Sequence, residues 1–255
     1  MEAERIRGMA EQLIRENPKE RIIDFTLEGQ KYWIKRKLGN GRNQLVKYSV
    51  EKEFYYEIAR MTIAGRFHSE LVPDVVLLTP DYMVTLDGGP TLKNILGSKR
   101  REEEKEAILE ETGAALAALH HDHIIHGRPA LRDITYRDGR LTFLDWENRL
   151  YSRNRETLKA IDFLLLLQGI CRENYREEKS RVAAVRRGYE ENGGAETVED
   201  ARRFLKSHGF IGSLVHFLSP FRLSVKFYSV GEFSRNNKRG KPPLEWKCYN
   251  FRGKE

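Results

Sequence analysis

Apolar and polar positions alternate through RIIDFTLEGQKYWIKRKL, residues 21–38, in two runs rich in β-branched and aromatic residues. The LEGQ between them carries Gly29 and reads as the turn of a β-hairpin. GNGRNQ breaks the pattern. In VKYSVEKEFYYEIARMTI the period changes, and Val50, Phe54, Ile58 and Met61 recur at the three- and four-residue steps of a helix. DVVLLTPDYMVTLDGGPTL then holds two short apolar strands around Thr-Pro-Asp, ended by Gly88-Gly89 and Pro90.

From there the pattern is mainly helical. TLKNILGS predicts a short helix. REEEKEAILEETGAALAALHHDHI predicts a long one, with acidic residues first, as the helix dipole favours. YRDGRLTFLD reads as a second hairpin turning at Asp138-Gly139. ETLKAIDFLLLLQGI has the apolar density of a buried helix, and EEKSRVAAVRRGYEEN and TVEDARRFLKSHG that of amphipathic surface helices. No internal repeat is visible. The order predicts an α+β fold of two segregated lobes. The first, 1–87, holds an N-terminal helix, a hairpin, a helix and two strands. The second, 88–234, is mainly helical, and a basic aromatic tail covers 235–255.

Composition narrows the class. With 40% hydrophobic residues among the 255 the chain can bury a core, and its 33% charged residues are mixed in sign, which excludes a disordered polymer. Cys171 and Cys248 are too few for a disulfide framework and fit a reducing compartment. MEAERIRGMAEQLIRENPKE has no apolar core of a signal peptide. The run IDFLLLLQGI is about half a membrane span and contains Asp162 and Gln168. These features lead us to expect a soluble cytoplasmic protein. The net charge is +7, and residues 235–255 hold seven Lys/Arg against Glu245 and Glu255, so this end is +5. Interleaved with Trp246, Tyr249 and Phe251, it suits contact with an anionic membrane surface; the plainer reading is a solvated tail. No nucleic-acid reading motif accompanies it, so nucleic acid is not an expected partner.

Phosphoryl transfer asks little covalent work of a protein. It needs a cation on the phosphates, a group holding that cation, carboxylates for magnesium and something to position the acceptor. Candidates occur in that order. Lys35 ends YWIK, and Glu53 follows on the next helix, although periodicity offers Lys37 and Glu57 equally. Asp145 follows the apolar LTFL, where a strand fixes a carboxylate and its end leaves it open. Asp133 lies 12 residues earlier, as a second magnesium ligand or as a turn or cap residue.

YWIK, Glu53, YMVTLDGGPTL, HGRPALRDI and LDWE together resemble the protein-kinase-like superfamily, most closely the bacterial lipopolysaccharide kinases of the InaA type, over roughly residues 20–170. The resemblance implies an abbreviated two-lobed kinase that uses ATP and Mg2+. Its acceptor would be a hydroxyl of a lipid-linked sugar of the lipopolysaccharide core, reached from the cytoplasm at the inner membrane. By position, Lys35 matches the phosphate-binding lysine and Glu53 its partner. Thr85, Leu86 and Asp87 match the hinge whose backbone would hold adenine. Asp145, opening Asp-Trp-Glu, matches a metal ligand, and Asp162 a buried aspartate bracing the catalytic loop.

Two departures follow. Arg128 stands where kinases carry the catalytic aspartate, and Asp133 where they carry an asparagine; the InaA-type signature shares the arginine. A guanidinium accepts no proton, so either Asp133 is both metal ligand and base or the base is missing. No glycine-rich loop precedes Lys35, since Gly39 and Gly41 follow it. Arg128 or Arg132 could instead clamp phosphate oxygens, or form a salt bridge within the loop. The alternative to an enzyme is therefore a pseudokinase that binds nucleotide or a partner as a regulator; a protein or small-molecule kinase of the same fold is a further one. His126 reads as the structural histidine of the loop. His120, His121 and His123 lack partners at zinc-ligand spacing, so a metal centre is not expected there.

Overall fold

A computed structural model describes residues 2–38, 50–147, 152, 154–173 and 176–207, together with two short strands at 228–230 and 246–248. The tail expected at 235–255 lies outside the described residues, apart from the backbone of 246–248. The fold is α+β, with a small antiparallel sheet and mostly helical content. It divides into two compact units, 1–92 with 133–148, and 93–132 with 149–255. The second hairpin, expected within the helical lobe, thus belongs to the first unit.

The first unit is built on a four-stranded antiparallel sheet of order β1-β2-β4-β3, from β1 (Ile22–Leu27), β2 (Gln30–Arg36), β3 (Val75–Leu78) and β4 (Tyr82–Leu86). Glu28 and Gly29 both have positive φ, the two-residue hairpin turn whose twist matches that of strands. Side chains of period two sort the sheet. Phe25, Tyr32, Ile34, Tyr82 and Val84 form one core with Ile6 and Ala10 of α1 (Glu2–Glu16). Phe25 and Tyr32 stack with centroids 5.1 Å apart. Trp33 and Lys35 alternate with this set on β2 and therefore belong to the opposite face.

Between β2 and β3 runs α2 (Val50–Phe67), which buries Phe54, Glu57, Met61 and Ala64. That is an apolar helical stripe with one carboxylate in the middle of it. A hairpin of β5 (Ile134–Arg137) and β6 (Arg140–Phe143), turning at Asp138-Gly139, completes the unit. Arg140 ties it down, donating to the carbonyls of Ser69, Glu70 and Val72 and pairing both carboxylate oxygens of Asp74. Gly88 is required beside it, because a Cβ there would collide with the side chain of Thr135.

The second unit is helical: α3 (Leu92–Leu96), α4 (Glu102–His121), α5 (Arg155–Arg172), α6 (Glu178–Tyr189) and α7 (Ala195–Ser207), with β7 (Tyr228–Val230) paired to β8 (Trp246–Cys248). Asn154 caps α5 by accepting from the Thr157 N–H at 3.1 Å. Helices α4 and α6 meet backbone to backbone at Gly113 and Gly188. A Cβ on either would strike main-chain atoms of the other helix, Val185 and Tyr189 in one case and Glu110 in the other. Among the described residues no helix is long and apolar enough to cross a membrane.

Gly188→Ala is expected to lower stability by about 2 kcal/mol or more, because backbone cannot yield as a side chain does. Gly8→Ala, in α1 with open space around it, should raise stability by roughly 0.5–1 kcal/mol. Thermal unfolding of the two variants tests this, and a neutral Gly188→Ala would contradict the packing.

Candidate active site

The stripe of α2 sets the site. Glu57 lies three residues after Phe54 and four before Met61, so folding the apolar face inward carries its carboxyl with it, leaving it 2% exposed. Lys35, on the β2 face away from the α1 core, meets it: Nζ lies 2.7 Å from Glu57 Oε1. The expected partner, Glu53, sits one helical turn earlier and is half-buried. The ion pair is thus Lys35–Glu57 where the sequence reading placed Lys35–Glu53. Lys37 points elsewhere, to Asp81 at 3.1 Å and the ring of Tyr55.

Two further carboxylates reach the same ammonium, Asp145 Oδ1 at 3.3 Å and Glu147 Oε2 at 3.3 Å. Arg21, just before β1, also pairs with Glu147 Oε2. Between these acids Trp146 is fully buried, donating from Nε1 to the Phe143 carbonyl at 2.8 Å. Arg60 of α2 donates to the Trp146 carbonyl at 2.6 Å and lies 5.7 Å from its ring. Asp145 itself has φ +63°, the left-handed region that an L-residue seldom occupies outside special sites. Trp146 therefore pins a strained segment, and the strain aims Asp145 at Lys35.

The hairpin explains how Asp133 and Asp145, 12 residues apart in sequence, come to one end of it. Ile134 pairs with Phe143, and the Asp133 carbonyl accepts from the Leu144 N–H at 2.7 Å. Both acids therefore flank the open end of β5–β6, away from the Asp138-Gly139 turn.

Among the described side chains, Glu57, Asp145 and Glu147 face Lys35 and Arg21, three carboxylates to two cations. Burial, the largest influence on Lys35, lowers its pKa, but Glu57, Asp145 and Glu147 together outweigh burial and hold the ammonium above the ordinary lysine value. Burial likewise dominates Glu57 and raises its pKa; Lys35 opposes this without reversing it. Both shifts favour the protonated form, on Lys35 because the carboxylates outweigh burial and on Glu57 because burial outweighs Lys35. Glu57 Oε2 is buried with no hydrogen-bond partner among the described residues.

The expected hinge is committed elsewhere. Leu86 N–H donates to the Asp74 carbonyl and Asp87 N–H to that of Lys31, while the Asp87 carbonyl accepts from Arg137. The Asp87 carboxylate takes Trp33 Nε1 at 2.7 Å and also pairs with Arg137. Thr85 lies within the sheet between Trp33 and Val75. The Leu86 and Asp87 amides expected to hold adenine are thus satisfied by the strand ladder.

In the second unit, Asp162 of α5 is fully buried and accepts from the backbone N–H groups of His126, at 2.6 Å, and Gly127, at 2.8 Å. Gly127 has φ +90°, so the aspartate holds a turn that glycine permits. His120 lies between Asp162, 3.4 Å from Nε2, and the Tyr189 hydroxyl at Nδ1. Burial pushes the Tyr189 phenol well up, so it remains neutral. Arg128 N–H donates to His126 Nδ1 at 3.3 Å. Arg132 lies in the single turn Leu131–Asp133.

Sequence reasoning put Glu53 ahead of Glu57, which periodicity offered equally, and did not place Arg21 or Glu147 in the site. Glu57 had a signal, a carboxylate inside an apolar stripe. Arg21 and Glu147 had none, being 126 positions apart.

No protein-family model matches the chain. An uncharacterized protein of Haemophilus influenzae is 36% identical over 165 residues, 64% of this chain and 67% of that protein.

Lys35→Met strands three carboxylates with one guanidinium and is expected to cost about 3 kcal/mol near neutral pH. Lys35→Met/Glu57→Gln should recover most of it. A raised lysine pKa gives stability that is full below the ordinary 10.5 and lost as pH rises through the folded value. A raised carboxyl pKa penalises the ionised form, so the single variant should regain stability on acidification, as Glu57 takes a proton. Denaturant unfolding at several pH values checks both; a single variant as stable as wild type at pH 7 would refute the ion-pair account.

Proposed function

The chain belongs to the same family as this uncharacterized Haemophilus influenzae protein, and we propose that it is a phosphotransferase of the protein-kinase-like superfamily, similar to the bacterial lipopolysaccharide kinases of the InaA type. The observation that carries the reading is the buried Lys35–Glu57 pair with Asp145 against the same ammonium. Strand, helix and post-strand acid supply in order what a nucleotide's phosphates require. The sheet with its single following helix and the Asp162-held turn before Arg128 lend further support.

The donor set suits ATP with Mg2+. Magnesium keeps waters and phosphate oxygens and takes only one or two protein carboxylates. Among the described residues no group of three or more acidic, histidine or cysteine side chains is arranged to hold a metal alone. Asp145, with its side chain 22% exposed, and Asp133 would be the protein ligands. When bound, the magnesium nucleotide supplies the transferable phosphoryl group and neutralises charge on it.

Lys35 would grip phosphate oxygens while Glu57 keeps its ammonium aimed. Asp133 is the remaining candidate to accept the proton of the attacking hydroxyl, because Arg128 cannot. Arg128 and Arg132 are assigned to charge neutralisation from their sequence positions alone. The acceptor would be a sugar hydroxyl of lipopolysaccharide core, and the basic segment 235–255 would bring the enzyme to the anionic inner face of the membrane.

Asp145→Asn should lower magnesium-dependent ATP turnover by on the order of 10²-fold, the loss of one placed electrostatic group, while the fold survives, since asparagine tolerates positive φ. Wild-type turnover in this variant would refute the assignment. A magnesium-dependent rise in melting temperature with ATP but no turnover in wild type would instead mark a nucleotide-binding regulator. Deleting 235–255 should weaken co-sedimentation with anionic liposomes at moderate salt; equal co-sedimentation would remove the membrane role.

A further inference from the structure

Arg21 and Lys35 converge on a single oxygen, Glu147 Oε2. We propose that these two cations form a seat for a polyphosphate, and that Glu147 fills the seat as a built-in stand-in for a phosphate oxygen until a polyphosphate displaces it. The identity of that polyphosphate as a nucleoside triphosphate rests on the phosphotransferase reading; the seat itself rests on geometry.

Three observations carry it. First, carboxylate and non-bridging phosphate oxygens are both charged acceptors for a guanidinium, and an oxygen met by both a guanidinium and an ammonium is in the environment a non-bridging phosphate oxygen seeks. Secondly, Lys35 keeps Glu57 at 2.7 Å and Asp145 at 3.3 Å when Glu147 is withdrawn, so the ammonium stays held while one carboxylate makes way. A phosphate oxygen that takes the place of Glu147 avoids the repulsion that binding beside its carboxylate would add.

Thirdly, the backbone that carries Arg21 and Glu147 is anchored. The Arg21 backbone is pinned by the Arg36 N–H, which donates to its carbonyl at 2.9 Å. Trp146, fully buried and held by Arg60, anchors the segment, so Glu147 can leave without moving Asp145. A hairpin-borne arginine beside Lys35 also supplies a grip on phosphates in a chain with no glycine-rich loop before that lysine.

The test is isothermal titration of the full chain with inorganic tripolyphosphate, ATP and adenosine, each with magnesium. Arg21→Met should weaken tripolyphosphate and ATP by roughly tenfold or more, the loss of one charge-assisted contact, and leave adenosine unchanged. Arg21→Lys should restore part of the loss. Glu147→Gln should tighten tripolyphosphate and ATP by about tenfold, since its neutral amide competes poorly. If Arg21→Met does not fold, Arg21→Lys and Glu147→Gln carry the test.

Unchanged polyphosphate affinity in Arg21→Met, or no gain in Glu147→Gln, overturns the seat while leaving the phosphotransferase reading in place. Arg21-dependent tripolyphosphate binding without any phosphoryl transfer from ATP overturns that reading and leaves the seat standing. Wild type that binds neither polyphosphate overturns both.

Discussion

A lysine ammonium removed from most of its water must be repaid in kind, and Lys35 is repaid threefold. The desolvation of such a group amounts to several kcal/mol unless close carboxylates answer it. Glu57 answers from α2, Asp145 and Glu147 from the segment after β6, and Arg21 pairs with Glu147 in turn. Three elements of the first unit must meet this demand. The helix must dock deep enough to bring a charged residue to a core position. The hairpin must end where its last residues can bend back. The first strand must begin beside the second's lysine.

This arrangement also fixes how the cluster responds to its surroundings. The carboxylates raise the pKa of Lys35 against burial, and burial raises that of Glu57 against Lys35. The cluster favours cations, and it disfavours an added anion unless one carboxylate steps aside. Glu147 is the member best able to do so, because it follows an anchored tryptophan and is not itself the strained residue. In the second unit the logic is different. Asp162 spends its buried charge on backbone N–H groups, and His120 and Tyr189 close off its remaining side. There a charge organises a turn; in the first unit charges organise one another.

Much of this could be read in the sequence because local chemistry decides it. Glu28-Gly29 and Asp138-Gly139 mark two hairpins by turn chemistry alone, and the spacing of Phe54, Met61 and Ala64 marks a helix face. The axial position along that face was not legible. Glu53 and Glu57 differ by one turn, and which of them meets Lys35 depends on how far α2 slides along the sheet, a property of tertiary packing. The bonding of the expected hinge was illegible for a related reason. Whether the Leu86 and Asp87 amides are open depends on how far the ladder runs, and Asp74 and Lys31 extend it past the apolar residues that signal a strand. Arg21 and Glu147 were out of reach, since no local pattern links an ion pair 126 positions apart.

The left-handed backbone at Asp145 carries one more consequence. Glycine would sit there with less torsional penalty than any residue bearing a carboxylate. An aspartate at this φ beside a buried indole gives up some of the stability that a glycine would keep, and what stands in its place is a carboxylate 3.3 Å from an ammonium.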